Sequence, residues 1–445
     1  MKTMLLKYWD QLRSGFWFVP TAMATLAVIL AFSAVALDEA VTEDWLDSLG
    51  WSYSGGAEGA SLLLGTVAGS MIAIAGTVFS MTLVALSLAS SQLGPRLLRN
   101  FMRDTANQVV LGTFVATFVY CLLVLRTIRR VDEVAFVPHL AVSIGVLLAI
   151  VSIGVLIYFI HHVSVSIQAD SVVAQVCREL TEGIDRLFPS HLGVPGSEAS
   201  RAPIRASLPA GFAREAVPVG APEDGYLQLI DADALMTLAT EEDLLLRLER
   251  RPGHYLVKGQ AMVMVWPGSR VTESLVVKVN AAFAFGDQRS AVQDVEFSFH
   301  QLVEIAVRAL SPGINDPFTA IACVDRLGST LCRLAQRDIP SPHRFDPQGR
   351  LRLVAPSSTF AGIVDAAFNQ IRQCARSNPA VAIRMLDAIV QIAGHVQCGP
   401  DASCLQRHAD MIIRGAREAV PEADDRFAVE ARYTAASQAL SEFHD

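Results

Sequence analysis

Charge is what this sequence withholds. No Asp, Glu, Lys or Arg occurs between Gly59 and Pro95, and none between Val134 and Ala169. Charged residues are 18% of the 445 and apolar ones 52%, where soluble domains carry about 25% charge. Uncharged runs of that length exclude a wholly soluble chain. Beyond Asp170 charge returns at ordinary density, so the net charge of −8 belongs to exposed segments. That sign excludes a general role with nucleic acid. Cysteine is sparse and odd in number: Cys121, Cys177, Cys323, Cys332, Cys374, Cys398 and Cys404 are scattered singly. This is no secreted disulfide framework, and small buried thiols in a reducing compartment are expected. The motifs G-x-S-x-G, P-loop, H-E-x-x-H and the dinucleotide fingerprint are absent too, so neither an enzyme activity nor a cofactor is expected.

What is present begins with four runs that pass the length test of about 20 apolar residues. They are Phe16–Leu37, Leu62–Ser90, Asn107–Leu125 and Leu140–Ile160. Each is predicted to be helical, because lipid offers backbone groups no other partner short of a closed barrel. The first follows Lys2, Lys7 and Arg13 and precedes Ala34-Val35-Ala36, which imitates a signal peptide. Its 22 residues exceed a signal core of about 7–15, so an uncleaved anchor is expected.

Basic residues in short loops orient the spans. Lys2, Lys7 and Arg13 precede the first span, and Arg96, Arg99 and Arg103 follow the second. The loop between carries Asp38, Glu39, Glu43, Asp44, Asp47 and Glu58 with no basic residue. This places both termini in the cytoplasm, although Arg126, Arg129 and Arg130 after the third span point the other way.

The second span is the informative one. Gly69, Ala73, Gly76, Ser80, Ser87 and Ser91 recur at spacings of three, four or seven, so they share a helical face, and Gly65 and Thr77 lie beside it. Such a stripe lets helices approach closely, or lines a watery path between subunits; both readings stand at this point. No charged residue lies inside a span, with His139 at the edge of the fourth, which favours a passive path or none over a proton-driven carrier.

After His161-His162 a helix is expected to run from Asp170 to Leu187, followed by a linker over Pro189–Pro222. Tyr226–Ile230 and Leu244–Leu248 read as strands around a helical insert at Ala232–Thr240. Arg251-Pro252-Gly253-His254-Tyr255-Leu256-Val257-Lys258-Gly259 then resembles the turn of a barrel-sandwich hybrid, the module of biotinyl, lipoyl and adaptor domains. It lacks the Met-Lys-Met hairpin of a carrier, which implies an assembly module without a prosthetic group. An amphipathic helix over Asp294–Leu310 leads into a loop of structural or gating character built from Arg308, Ser311, Pro312, Gly313, Asn315, Asp316 and Pro317. Asp316 is suited to cap a helix that Pro317 begins and that runs to about Gln336. Further helices follow Asp346-Pro347-Gln348-Gly349, with boundaries at Asn378-Pro379 and Pro421. His395, Cys398, Cys404 and His408 form a permitted zinc set, but their H-x2-C-x5-C-x3-H spacing is unlike the usual paired ligands, so no metal is expected.

Three stretches together carry a resemblance. They are Phe79-Ser80-Met81-Thr82-Leu83 leading to Pro95-Arg96-Leu97-Leu98, the Pro252-Gly253 turn, and Arg308-Ala309-Leu310-Ser311-Pro312-Gly313-Ile314-Asn315-Asp316-Pro317. The chain resembles a family of bacterial predicted membrane proteins known as a domain of unknown function. The resemblance implies the bacterial inner membrane and no particular activity. The expected organisation is a four-helix transmembrane domain (1–165), a helix and linker (166–222), a hybrid-like β module (223–270) and a mainly helical cytoplasmic domain (271–445). The expected fold class is membrane α-helical plus cytoplasmic α+β. The expected partners are the lipid bilayer and further copies of the chain, without nucleic acid. A homo-oligomeric channel with the second helix lining its path is the leading reading. A non-conducting scaffold that docks a protein partner through the hybrid module is the alternative.

Overall fold

Apolar runs without charge become helices in the computed structural model, which describes residues 17–40, 53, 55–94, 104–129, 136–166, 168–188 and 208–441. The chain divides into two units, one within residues 8–171 and one within 172–445.

The first unit holds α1 (Phe18–Ala40), α2 (Ala57–Leu93), α3 (Thr105–Thr127) and α4 (His139–Ser166). All four are long and apolar enough to cross a membrane. The third helix packs against the other three. Ala27, Ala31 and Ala34 of α1 join Leu64, Ala68, Tyr120, Cys121 and Val124 in one apolar cluster. Met71, Ala75, Val78, Val110, Phe114 and Phe159 form a second. Asp104 starts α3 by accepting from the Ala106 amide at 3.0 Å. Gly94 ends α2 at φ 117°, a left-handed position that disfavours a side chain; Pro95, read as the stop, lies outside the described residues. The second helix has 37 residues, or about 55 Å at helical rise. That is nearly twice the hydrocarbon thickness of about 30 Å.

The second unit opens with α5 (Ala169–Leu187), then α6 (Phe212–Glu215), β1 (Val217–Gly220), β2 (Gly225–Ile230), α7 (Ala232–Glu241), β3 (Leu245–Leu248), β4 (Tyr255–Leu256), β5 (Ala261–Trp266), α8 (Glu273–Asn280) and β6 (Phe283–Gly286). It continues with α9 (Val295–Ala309), α10 (Pro317–Ala335), β7 (His343–Phe345), β8 (Leu351–Val354), α11 (Phe360–Cys374), α12 (Pro379–Ala393), α13 (Gly399–Ala419) and α14 (Ala423–Ser441). The expected helices at 294–310 and 317–336 are found almost to the residue. Asn378 caps α12 by accepting from the Val381 amide at 3.1 Å.

The β region departs from expectation. Its strands form two sheets, ordered β1-β5-β3-β8-β7 and β4-β2-β6. Strand β3 lies parallel to β8, pairing Leu246 with Leu353, although about a hundred residues separate them in sequence. The strands within 223–270 do not make up the sheets alone: β1 before them and β6, β7 and β8 after them complete both. The physical reason is the shared core. Leu227, Leu246, Val263, Leu275, Phe285 and Leu353, drawn from both sheets and α8, lie in one buried cluster. Gly253, in the predicted turn, sits at φ 93°, and a Cβ there would lie 2.2 Å from an Asp294 carboxylate oxygen. The glycine thus serves a junction with the start of α9 and not the turn alone.

Candidate functional site

The inner side of α2 is set by Leu64, Ala68, Met71, Ala75, Val78, Thr82 and Ala85, which recur every three or four residues and are buried. The predicted small-residue face points the other way. Gly69, Ala73, Gly76, Thr77, Ser80, Ser87 and Ser91 are exposed, and Gly65 is half-buried. A Cβ added at Gly65, Gly69 or Gly76 would meet nothing within 4 Å. Exposed Phe79, Leu83 and Val84 flank the face, and exposed Leu62 lies in line with it. The hydroxyl of Thr77 donates to the Ala73 carbonyl at 3.1 Å, that of Thr66 to Leu62 at 2.7 Å and that of Ser70 to Thr66 at 2.8 Å.

Polar side chains fasten the bundle at its two ends. The Asp38 carboxylate accepts from the Leu140 and Ala141 amides, each at 2.9 Å, and so caps α4 from the end of α1. The Ser143 hydroxyl accepts from the Tyr53 amide at 2.8 Å beside it, and His139 meets the Tyr53 carbonyl. At the other end Asp104 accepts from His162 at 2.6 Å. Between the ends, Thr117 and Ser152 share a buried hydrogen bond of 3.2 Å. Sequence reasoning missed these latches because each joins residues far apart in the chain. An acidic residue just before a loop, as at Asp38, was the only available signal. An apolar groove of about 410 Å³ between α3 and α4, lined by Val109, Val151, Gly154, Val155 and Tyr158, gathers no convergent polar groups.

The loop between α9 and α10 is built as a helix stop and restart. Asp316 accepts from the Thr319 amide at 3.1 Å and from its hydroxyl at 2.6 Å, and Pro317 occupies the first turn. The Thr319 hydroxyl holds the Asp316 carboxyl below its ordinary value; partial burial opposes it, and the Thr319 and Phe318 amides add to the lowering. Asn315 adopts φ 49°, and the Asp316 amide donates to the Ala309 carbonyl at 2.7 Å. Ser311 donates to the Arg308 carbonyl at 2.7 Å, while the Arg308 side chain pairs with Glu304 at 3.6 Å. Pro312, Gly313 and Ile314 are exposed, and Phe318 is 80% exposed.

The four candidate zinc ligands are not brought together as a set. The His395 ring meets Gln336 at 2.8 Å, Cys398 is exposed at the start of α13, and the Cys404 thiol faces the Ala361 carbonyl. His408 is fully buried and uses Nε2 on Asp365 at 2.9 Å. Among the described residues no group of three His, Cys, Asp or Glu could hold a metal ion. Burial lowers the His408 pKa, against the raising effect of Asp365.

An uncharacterized protein of Mycobacterium tuberculosis, Rv1290c, is 32% identical over 434 residues, covering 94% of this chain and 79% of its own. Its counterpart in Mycobacterium bovis, Mb1321c, matches to the same extent. No solved structure matches the chain. The model of the family described as Predicted membrane protein (DUF2254) matches residues 13–391, across all four apolar helices and most of the second unit, and the chain belongs to that family.

Proposed function

We propose that this is a homo-oligomeric protein of the bacterial inner membrane whose subunits meet through the small-residue face of α2, with a passive path for ions or small solutes along it and both termini in the cytoplasm. The observation that carries the reading is that α2 buries one face on α3 and leaves the opposite, glycine-rich face uncovered. Lipid gains nothing from a stripe of small residues, whereas a second helix does, because backbones can approach closely there. Ser80 and Ser87 put hydroxyls on that face. No charged side chain lies at mid-depth among the described residues, which suits passive permeation better than ion-coupled transport.

A non-conducting scaffold is the second reading, favoured by one specific observation. Thr66, Ser70 and Thr77 already donate to carbonyls of their own helix, so the face can be packed dry. In this reading the β region of the second unit docks a protein partner.

Mass in detergent, ion flux in liposomes and thiol accessibility separate the readings. A path predicts flux, and modification of Ser80→Cys by small water-soluble thiol reagents, since thiolate chemistry needs water. An assembled oligomer with no flux and an inert Ser80→Cys selects the scaffold. A monomer that conducts nothing defeats both.

A further inference from the structure

The second unit carries four arginines along the seam where α11 and α13 lie side by side. Arg372 lies in the last turn of α11, Arg376 just beyond its end, and Arg407 and Arg414 on α13. The two helices run parallel. Asp365 meets Arg407 and His408 early in the pair, and Arg376 meets Glu418 late in it. The Arg376 side chain lies against Gly415, with its Cγ 3.4 Å from where a Cβ would stand.

Counting partners exposes an imbalance. Glu418 is taken by Arg376, and Asp365 is divided between Arg407 at 2.7 Å and His408 at 2.9 Å. Among the described residues neither Arg372 nor Arg414 is ion-paired with a carboxylate. Arg372 reaches only as far as the Asn369 side-chain oxygen at 3.5 Å, and its Nε is buried with no partner. Burial, and then the charges of Arg414, Arg376 and Arg407, push the Arg372 guanidinium below its ordinary value. Both helices end on this side, and helix C-termini contribute only about half a negative charge each. Elsewhere in the unit arginines that crowd together share an acid, as Arg333 and Arg337 do at Asp185 and Arg270 and Arg352 at Asp243.

We propose that this seam is an oxyanion site in which Arg372 and Arg414, flanked by Arg376 and Arg407, receive a phosphoryl group. Guanidinium forks match the geometry of phosphate oxygens and bind them through paired, charge-assisted hydrogen bonds. A doubly charged tetrahedral anion would supply the missing counter-charge and give the buried Arg372 Nε an acceptor. Free phosphate and a phosphate carried on a lipid headgroup share this chemistry, and the test below separates them.

The test uses the full chain in detergent. Its melting temperature is followed as sodium phosphate replaces sodium chloride at constant ionic strength and pH. Phosphate stabilises many proteins by exclusion from their surfaces, so the comparison is between variants. The wild type and Arg432→Gln should show a saturable rise in melting temperature. Arg372→Gln and Arg414→Gln should need at least tenfold more phosphate for half the effect. Arg414 is exposed, so its variant stays folded even where Arg372→Gln does not. A short-chain phosphatidylglycerol at equal phosphate concentration identifies the source. A larger shift than with inorganic phosphate, lost in the same variants, assigns a lipid headgroup, and an equal or smaller shift assigns a free phosphate compound. An equal response to phosphate in all four proteins overturns the proposal and leaves the arginines as complements of two helix ends.

Discussion

Two small-residue faces in the membrane unit meet opposite fates. Ala27, Ala31 and Ala34 of α1 are buried, and α3 accepts that helix so closely that a Cβ on Gly112 would lie 2.5 Å from Met23 Sδ and 3.2 Å from Pro20 Cα. The α2 stripe has the same kind of residues, yet its glycines have empty space in front of them. The second unit repeats the closed case at Gly328, where a Cβ would lie 3.0 Å from Ala388 Cβ. Small residues therefore serve close packing wherever this chain has a partner to offer. What distinguishes α2 is that α3 packs on its other side and that, among the described residues, nothing in the subunit covers the stripe, which is where the proposed oligomer would supply a partner.

The largest effect should come from filling the closed face. Gly112→Leu has to displace backbone as well as the Met23 side chain, at a cost on the order of 3 kcal/mol. We expect loss of folded monomer in detergent, seen as aggregation on size exclusion. Normal folding would mean the α1–α3 contact is looser than described.

Acid should separate the two units. His408 is buried with its pKa lowered by burial, and His254 is lowered by burial and by Arg251 and Arg250. The unfolded chain therefore binds protons that the folded one refuses. Stability is complete above the ordinary histidine value of 6.5 and falls as pH drops below it towards the folded values. The stripe from Gly65 to Ser91 carries no titratable group, so the melting point of the second unit should fall between pH 7.5 and 5.5 while the oligomeric mass holds. A mass that follows the same pH curve would place a titrating group in the contact.

A smaller effect is expected at the helix restart. Asp316→Ala should cost about 1 kcal/mol in chemical denaturation, and Asp316→Asn less, since Asn also caps well. Loss of function in Asp316→Asn at unchanged stability would make the loop a charge-dependent site. The smallest effect belongs to Ile157→Phe, on the exposed side of α4. Mass and melting point should both stay at wild-type values, and a change in either would put α4 in a subunit contact too.

The parts legible in the sequence are those written locally. Charge-free runs marked the four spans, and Asp316-Pro317 and Asn378-Pro379 marked helix starts through cap and ring chemistry. The α2 stripe was legible as a face, because helical spacing alone defines it. Which way the face points was not, since that depends on α3 being packed against Leu64, Ala75 and Val78 instead. The sheets were illegible for a similar reason. The parallel pairing of β3 with β8 and the Asp38 cap on α4 join residues about a hundred positions apart, and no local pattern reports them.

The most direct measurement is the mass of the detergent-solubilised protein by light scattering, for wild type and Gly76→Leu side by side. A Cβ at Gly76 meets nothing within the subunit, so the substitution should leave the fold and melting point of the monomer intact. The account predicts a wild-type mass that is a multiple of 48.0 kDa and a folded 48.0 kDa monomer for Gly76→Leu. A monomeric wild type, or a Gly76→Leu protein that keeps the wild-type mass, would contradict it.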